Sequence, residues 1–221
     1  MSAAQGRSAK RGAYDAVAAY LDYAARLGNR KALYQRVADE FGIDSALYPG
    51  SHIDIAPSLV IPKVTYVDQF KGAIRFFKYR EAIQDYLNAH KNYDEACEFS
   101  FLGQDFYEPL DTEPVDLIIS QFAGFAGQAT KGCLKPGGIL LCNDSHGDAT
   151  LARFDDGFEL VGVLNGRSTL QTNRLDDYFK LPHNKPVDLN AVKAQMKGLK
   201  YELTAENYVF RKSRQAGTRE V

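Results

Sequence analysis

An apolar run that ends in glycine is followed by a second apolar run that ends in an acid. The first run, ALYPG, ends at Gly50, and the second, VTYVD, ends at Asp68. This order occurs in α/β units that bind dinucleotides and nucleosides, where an acid after the second strand accepts hydrogen bonds from ribose hydroxyls. We therefore predict that Asp68 binds a ribose. The alternative is that Asp68 caps a helix beginning at Phe70.

The segment GSHID after the first run contains one glycine, whereas nucleoside-binding loops usually carry several. A glycine permits a tight turn and lets a ligand approach the backbone, and each side chain in its place narrows that space. Ser51 can donate a hydrogen bond, and Asp54 can accept one from an ammonium group. Equally, Ser51 or Asp54 could satisfy free amides at a helix N-terminus. Both interpretations stay open at this point.

A histidine with carboxylate neighbours lies further along the chain. The segment CNDSHGD places His146 close to Asp144 and Asp148, and a histidine beside a carboxylate can act as a general base. The same residue types are also typical of a turn. His146 is therefore a candidate proton acceptor, with simple turn chemistry as the alternative.

The composition limits the class of protein. A chain of 221 residues with 45% apolar composition can bury one substantial core. The formal charge of −1, from 27 basic and 28 acidic residues, provides no general attraction to nucleic acid or to an anionic membrane. The sequence contains no apolar run of about 18 residues and no recognisable signal peptide, so we expect a cytoplasmic protein without a membrane segment. No Cys/His spacing resembles a zinc site, and no metal is predicted.

Apolar runs alternate with helical periodicities through most of the chain, which predicts right-handed crossovers and a parallel, doubly wound sheet. FAGFAGQATKGCL is predicted as a helix of small residues, and a further helix is predicted to start near Asp188. The predicted strands are SALYPG (45–50), KVTYVD (63–68), one within ACEFSFLGQDF (96–106), PVDLIIS (114–120), GGILLCND (137–144), FELVGVL (158–164) and NYVFRKS (207–213).

The predicted organisation has four parts. Residues 1–12 form a disordered tail, 13–42 form N-terminal helices, 43–213 form the α/β domain, and 214–221 form a second tail. The N-terminal helices either cover a sheet edge or act as a lid over a site.

The segment LKPGGILLCND carries a more specific signal. Leu134 to Gly138, leading into an apolar strand, resembles the turn before the fifth strand of class I S-adenosylmethionine-dependent methyltransferases. The other runs fall in the order of that family's strands over about residues 30 to 213. The resemblance implies a seven-stranded, mostly parallel sheet with an antiparallel last strand, helices on both faces and an N-terminal helical extension. It also implies S-adenosylmethionine as the cofactor.

The resemblance assigns roles to residues at the ends of the strands. Tyr48 stands where the family has the acid of its first motif, and that motif is degenerate here because its later glycines are missing. Residues at the fourth strand's end, Ser120 and Gln121, stand where the family places substrate-facing or catalytic groups. The implied cofactor-binding residues are Tyr48, Gly50, Ser51, Asp54, Asp68, Gln69, Gln104, Asp105, Phe106 and Ser120, and the catalytic candidates are Gln121 and His146.

The sequence-based hypothesis is a methyltransferase that acts on a small-molecule or protein acceptor. The alternative is a non-catalytic binding or assembly module with the same fold, which the missing glycines favour. The sequence does not favour nucleic acid as a partner, because the basic segment RKSRQAGTR has no interleaved aromatic residues. A homo-oligomer is compatible with the sequence.

Overall fold

The computed structural model describes residues 14–28, 30–166 and 170–214. Their strands form one seven-stranded sheet in the order β3-β2-β1-β4-β5-β7-β6. All neighbouring pairs from β3 to β5 are parallel, and β7 runs antiparallel to both β5 and β6. The strands are β1 (Ser45–Pro49), β2 (Lys63–Val67), β3 (Glu98–Leu102), β4 (Val115–Ser120), β5 (Leu134–Cys142), β6 (Phe158–Leu164) and β7 (Asn207–Lys212).

Helices of the described residues lie between most of the strands. They are α1 (Ala16–Leu27), α2 (Arg30–Phe41), α3 (Lys71–Phe77), α4 (Arg80–His90), α5 (Ala126–Thr130), α6 (Asp148–Arg153) and α7 (Leu189–Gln195). Asp15 begins α1 by accepting a hydrogen bond from the Ala18 amide, and Asp188 begins α7 in the same way. The predicted helix near Asp188 is thereby confirmed.

The central strands are buried on both faces, which explains their continuous apolar sequences. In β4, Leu117 and Ile119 belong to the core on one face of the sheet, whereas Ile118 belongs to the core on the other. All three side chains are completely inaccessible to solvent. The predicted doubly wound, mostly parallel sheet with an antiparallel last strand is confirmed.

The two N-terminal helices belong to one of these cores. Tyr20 of α1 and Tyr34 of α2 are both buried and lie in the cluster that includes Tyr48 of β1 and Tyr66 of β2. Tyr34 and Tyr48 meet edge to face, with ring centroids 6.2 Å apart. Helices α1 and α2 therefore pack on the sheet and on the segments that follow β1.

The prediction that LKPGG forms a turn before the fifth strand is wrong. Strand β5 already begins at Leu134, which pairs with Val115, and the next paired residue on β4, Leu117, is opposite Ile139. The extra residues on β5 form an irregularity in the ladder, and Gly137 takes a φ of 79° within it. The glycines therefore accommodate a bulge inside the strand.

Two other segments differ from the prediction. The small-residue helix is short, because α5 starts only at Ala126 and a 3₁₀ turn follows it over Lys131–Cys133. Conversely, a short helix, α6, lies between β5 and β6, where no helix was predicted. Within the described residues, no helix combines the length and apolar character needed to cross a membrane. The predicted tail 1–12 lies outside the described residues, as does most of the tail 214–221.

Candidate functional site

The carboxyl ends of β1, β2 and β3 bring several of the predicted cofactor-binding residues together. Parallel pairing places Pro49 beside Val67 and Val67 beside Leu102, so the residues that follow these strands lie at one edge of the sheet. Two backbone hydrogen bonds continue the ladder beyond the strands: Gly50 N donates to Val67 O at 2.8 Å, and Asp68 N donates to Leu102 O at 3.1 Å.

Asp68 is half-buried and fixed by two backbone amides. Its Oδ2 accepts from His52 N and its Oδ1 accepts from Phe70 N, each at 2.7 Å. The His52 ring stacks on Phe70, with centroids 5.4 Å apart. A carboxylate oxygen can accept more than one hydrogen bond, so each oxygen of Asp68 keeps capacity for a further donor. The cap for the segment at Phe70 and a ribose-binding role are therefore compatible.

The residues after β3 form a second half-buried group next to Asp68. Gln69 Nε2 donates to Asp105 Oδ2 at 3.2 Å, while the other oxygen of Asp105 accepts from Tyr107 N at 3.0 Å. Gln104 Nε2 donates to Pro109 O at 3.1 Å. The Phe106 ring is half-buried and packs against the second core. A carboxylate and an aromatic ring are thereby presented together at the tip of β3.

Gly50 satisfies a steric requirement of the protein itself. Its φ is 66°, which a side chain tolerates poorly, and a Cβ there would collide with the Cβ of Ala123. The Phe106 ring would lie 3.7 Å from the same Cβ. The loop after β4 therefore packs directly on the turn after β1.

Tyr48, Ser51 and Asp54 of the first motif are buried, at 1%, 1% and 2% exposure. Asp54 Oδ2 accepts from Arg30 Nη1 at 3.2 Å, from Tyr34 Oη at 3.0 Å and from Tyr48 Oη at 3.3 Å. Burial raises the pKa of Tyr34 and Tyr48 well above the ordinary value, so both remain protonated donors. Asp54 Oδ1 also accepts from Ala56 N at 3.1 Å, at the start of the 3₁₀ turn Ala56–Leu59. Of the two interpretations of Asp54, the hydrogen bonds therefore favour the one in which it satisfies groups of the chain itself.

Ser120 is likewise engaged inside the protein. Its Oγ donates to Asp148 Oδ2 at 2.5 Å, and the Asp148 carboxylate also accepts from Gly127 N at 2.9 Å and Gln128 N at 3.2 Å. Burial raises the pKa of Asp148, while these hydrogen bonds oppose the rise. Asp148 thereby joins β4, the start of α5 and α6, and Ser120 contributes to this junction from the end of β4.

A cavity of about 810 Å³ opens at the tips of β4 and β5. Three amide side chains form a buried row along it: Asn143 Nδ2 donates to Gln121 Oε1 at 3.3 Å, and Gln121 Nε2 donates to Asn207 Oδ1 at 2.9 Å. The predicted catalytic candidate Gln121 therefore lies in the cavity wall. His146 is not among the lining residues; its Nδ1 lies 3.0 Å from the hydroxyl of Ser145, which does line the cavity.

Asp144 is a lining residue with an altered proton affinity. Burial raises its pKa to about 6, although hydrogen bonds from Thr150 N at 2.7 Å and Thr150 Oγ1 at 2.8 Å act against the increase. The position of Asp144 directly after β5 was the available sequence signal for this residue. Phe122, which follows Gln121 at the end of β4, also lines the cavity. Arg30 and Asn207 line it as well, and no local pattern in the sequence marks these two residues.

The position of β7 decides the fold type. The strand inserts antiparallel between β5 and β6 at one side of an otherwise parallel sheet whose central strands are β1 and β4. The fold is that of the class I methyltransferases. The methyltransferase sheet also explains why the half-buried Asp68 and the large cavity share one edge, since ligands of such sheets bind outside the carboxyl ends of the strands.

The similarities of this chain to known proteins are distant. The chain matches no protein-family model, and no curated protein matches it significantly in sequence. A methyltransferase from Geobacter sulfurreducens shares 14% identity at a TM-score of 0.48, covering 72% of this chain and 87% of the other.

Two further solved structures give similar values. The N-methyltransferase NodS from Bradyrhizobium japonicum, in complex with S-adenosyl-L-homocysteine, shares 13% identity at a TM-score of 0.49, covering 85% and 90% of the two chains. An O-methyltransferase from Bacillus cereus shares 12% identity at 0.48, covering 73% and 90%. At such values the assignment of the methyltransferase fold rests on the strand order and not on these matches.

Proposed function

We propose that the protein is an S-adenosylmethionine-dependent methyltransferase that acts on a small-molecule or protein acceptor. One observation carries the proposal: half-buried Asp68 and Asp105 stand side by side at the tips of β2 and β3, on the edge that also holds the cavity at β4 and β5. The Gly50–Ala123 contact joins the two parts.

The residues at the tips of β2 and β3 fit the adenosine part of the cofactor. In the proposal, Asp68 and Gln69 bind the ribose hydroxyls, and Gln104, Asp105 and Phe106 bind the adenine by hydrogen bonding and ring contact. S-adenosylmethionine supplies a methyl group that its sulfonium already activates. Gly50 lets the backbone turn beside the bound cofactor.

The residues of the first motif fit less well. Tyr48, Ser51 and Asp54 are buried, and the donors that surround Asp54 all come from the chain. Together with Ser120, which is hydrogen-bonded to Asp148, they are therefore assigned no direct contact with the cofactor.

Gln121 has the clearest role on the acceptor side. Its amide is fixed by Asn143 and Asn207, so it presents a defined surface to a bound acceptor. His146 reaches the cavity only through the Ser145 hydroxyl, and it would receive a proton from the acceptor by that route. Positioning of the acceptor supplies most of the rate enhancement in such a site.

Isothermal titration of the full chain with S-adenosylmethionine and S-adenosylhomocysteine tests the proposal. Binding should weaken at least about tenfold in Asp68→Ala, because a charge-assisted hydrogen bond is lost, and the exposed Asp85→Ala on α4 is the matched control. Gln69→Ala and Phe106→Ala provide further tests if Asp68→Ala does not fold. The absence of heat with either compound at high protein concentration would refute cofactor binding.

A non-catalytic binding or assembly module is the second candidate. The observation in its favour is the closed loop after β1, in which Ala123 packs against Gly50 and Asp54 is ion-paired with Arg30. This candidate predicts no cofactor binding in the titration and no effect of Asp68→Ala on any interaction of the protein.

A further inference from the structure

The cavity of about 810 Å³ has the size of a small-molecule site. Its walls come from five places in the chain: the end of α1 with the start of α2, the loop after β4, the residues after β5, Gly166 after β6, and the segment from Gly198 to Tyr208. A flat protein surface would not fill such a concave space. The shape therefore favours a small molecule over a folded protein as the occupant.

One wall of the cavity carries cations. Arg26 is exposed and makes no ion pair with the described residues, and Arg30 lies closer to the sheet. Arg30 Nη1 donates to Tyr48 Oη and Asp54 Oδ2, each at 3.2 Å. Its Nε and Nη2 have no acceptor among the described residues. These two nitrogens form one of the forked edges with which a guanidinium binds a carboxylate in a bidentate manner.

The other walls carry hydrogen-bond acceptors and acids. Asp144 and Glu206 line the cavity, as does the row of amides that includes Gln121 and Asn207. Asn207 Nδ2 donates to none of the described residues, while its Oδ1 accepts from Gln121. This side of the cavity therefore suits a ligand group that can both donate and accept hydrogen bonds, such as a hydroxyl or an amine.

An aromatic residue stands at the border of the cavity in a strained conformation. Phe122 is 62% exposed and has a φ of 57°, in the left-handed region that non-glycine residues rarely occupy. The Arg30 guanidinium lies 5.6 Å from the centre of its ring. Tyr201 and Tyr208 also line the cavity. Strain of this kind is often found at ligand sites, and an exposed ring next to a guanidinium offers a surface for a planar ligand.

The charges also limit which anion fits. Arg26 and Arg30 supply the positive charge of the lining, Arg30 is already paired with Asp54, and Asp144 and Glu206 line the same cavity, so little positive charge is left for a second negative charge on a ligand. A carboxylate carries one charge and matches the free edge of Arg30. A ligand with a carboxylate at one end and a hydrogen-bonding group at the other satisfies both sides of the cavity.

We infer that the cavity binds a small aromatic carboxylic acid, with its carboxylate on Arg30 and Arg26, its ring against Phe122, and a hydroxyl or amine towards Gln121 and Asp144. As the acceptor class, this inference rests on the proposed function. The oxygen or nitrogen of that group would form a bond to the methyl carbon as the carbon–sulfur bond of S-adenosylmethionine breaks, and S-adenosylhomocysteine would leave. The proton displaced from the hydroxyl or amine would pass through the Ser145 hydroxyl to His146 Nδ1.

Three probes separate the contributions to binding. The full chain is titrated with para-hydroxybenzoate, with benzoate, which lacks the donor, and with phenol, which lacks the carboxylate, in the absence of cofactor. We expect para-hydroxybenzoate to bind at least about tenfold more tightly than phenol, because only the acid makes charge-assisted hydrogen bonds. Benzoate should have intermediate affinity.

Arg30→Lys is the informative variant, because a lysine keeps a cation near Asp54 but lacks the forked edge. This substitution should weaken the binding of para-hydroxybenzoate by about tenfold and leave the binding of phenol unchanged. Arg26→Gln should weaken the binding of para-hydroxybenzoate and of benzoate by a smaller factor. Arg36 is a half-buried residue of α2 that pairs with Glu40 and does not line the cavity. Arg36→Gln is therefore the control and should leave the affinities of all three probes unchanged.

Equal affinities for the acid and phenol, no detectable binding of any probe, or equal behaviour of Arg30→Lys and Arg36→Gln would each overturn the inference. The test is independent of the cofactor. If the probes fail while S-adenosylhomocysteine binds, the proposed methyltransferase stands and only the acceptor class is wrong. If the probes bind and S-adenosylhomocysteine does not, the carboxylate site stands without the proposed function.

Discussion

The half-buried carboxyl group of Asp144 should make the stability of the protein depend on pH in a direction that can be worked out. Its pKa is raised from the ordinary 3.8 to about 6, chiefly by burial. The folded protein therefore binds the Asp144 proton more tightly than the unfolded chain does. Its favourable contribution is complete below about pH 4 and is lost as the pH rises through about 6.

The size of this effect follows from the difference between the two pKa values. Each pH unit of difference corresponds to roughly 1.4 kcal/mol, so the ionisation of Asp144 costs the folded state about 3 kcal/mol above pH 6. Asp144→Asn does not titrate and avoids this cost. The free energy of unfolding of Asp144→Asn, minus that of the natural protein, should therefore rise by about 3 kcal/mol between about pH 4 and about pH 8.

Urea denaturation followed by circular dichroism at a series of pH values measures this difference. Only the change with pH is diagnostic, because the lost hydrogen bonds to Thr150 add an offset that does not depend on pH. Asp155→Asn is a control for which this difference should change with pH in the opposite direction. Burial would raise the Asp155 pKa, but hydrogen bonds from Lys131 and Gly157 bring it below the ordinary value. The free energy of unfolding of Asp155→Asn, minus that of the natural protein, should therefore fall as pH rises. A constant difference for Asp144→Asn would refute the reasoning.

Three further substitutions test contacts described above, each by urea denaturation. Gly50→Ala should destabilise the protein by at least about 1 kcal/mol, because alanine is strained at this φ and its Cβ meets the loop after β4. Ser120→Ala should lower the free energy of unfolding by about 1–3 kcal/mol, since Asp148 loses its shortest hydrogen bond. An unchanged urea midpoint would contradict a structural role for Ser120. Arg30→Met should cost about 3–5 kcal/mol by leaving Asp54 buried and unpaired, and replacing both partners by apolar residues should recover most of the loss.

The strands could be predicted from sequence because their signals are local. PVDLIIS and VTYVD are short apolar runs between helical periodicities, and the structure places β4 and β2 in them. Asp68 and Asp105 could be placed at the tips of strands by the same reasoning. The start of β5 was misplaced, since Pro136 and the two glycines after it are as compatible with a bulge as with a turn.

Most of the contacts at the candidate site could not be predicted, because they join distant parts of the chain. Arg30 reaches Asp54 from a helix that precedes the sheet, and Asp148 meets Ser120 across 28 residues of sequence. No spacing rule relates such pairs. A single sequence also does not show whether a polar residue is buried. It therefore left open whether Asp54 binds a ligand or, as the structure has it, Arg30 and Tyr34 of the same chain.

The Arg30–Asp54 pair has a practical consequence for any shortened version of this protein. The predicted α/β domain begins at residue 43, just before the first strand, so a fragment that starts there would contain all seven strands. Such a fragment would lack the only cation hydrogen-bonded to Asp54 among the described residues and would uncover the face on which Tyr20 and Tyr34 pack. We therefore expect a shortened version that keeps these contacts, beginning before α1, to be more stable than one beginning at residue 43. The helices ahead of the sheet contribute to the interior as the strands do.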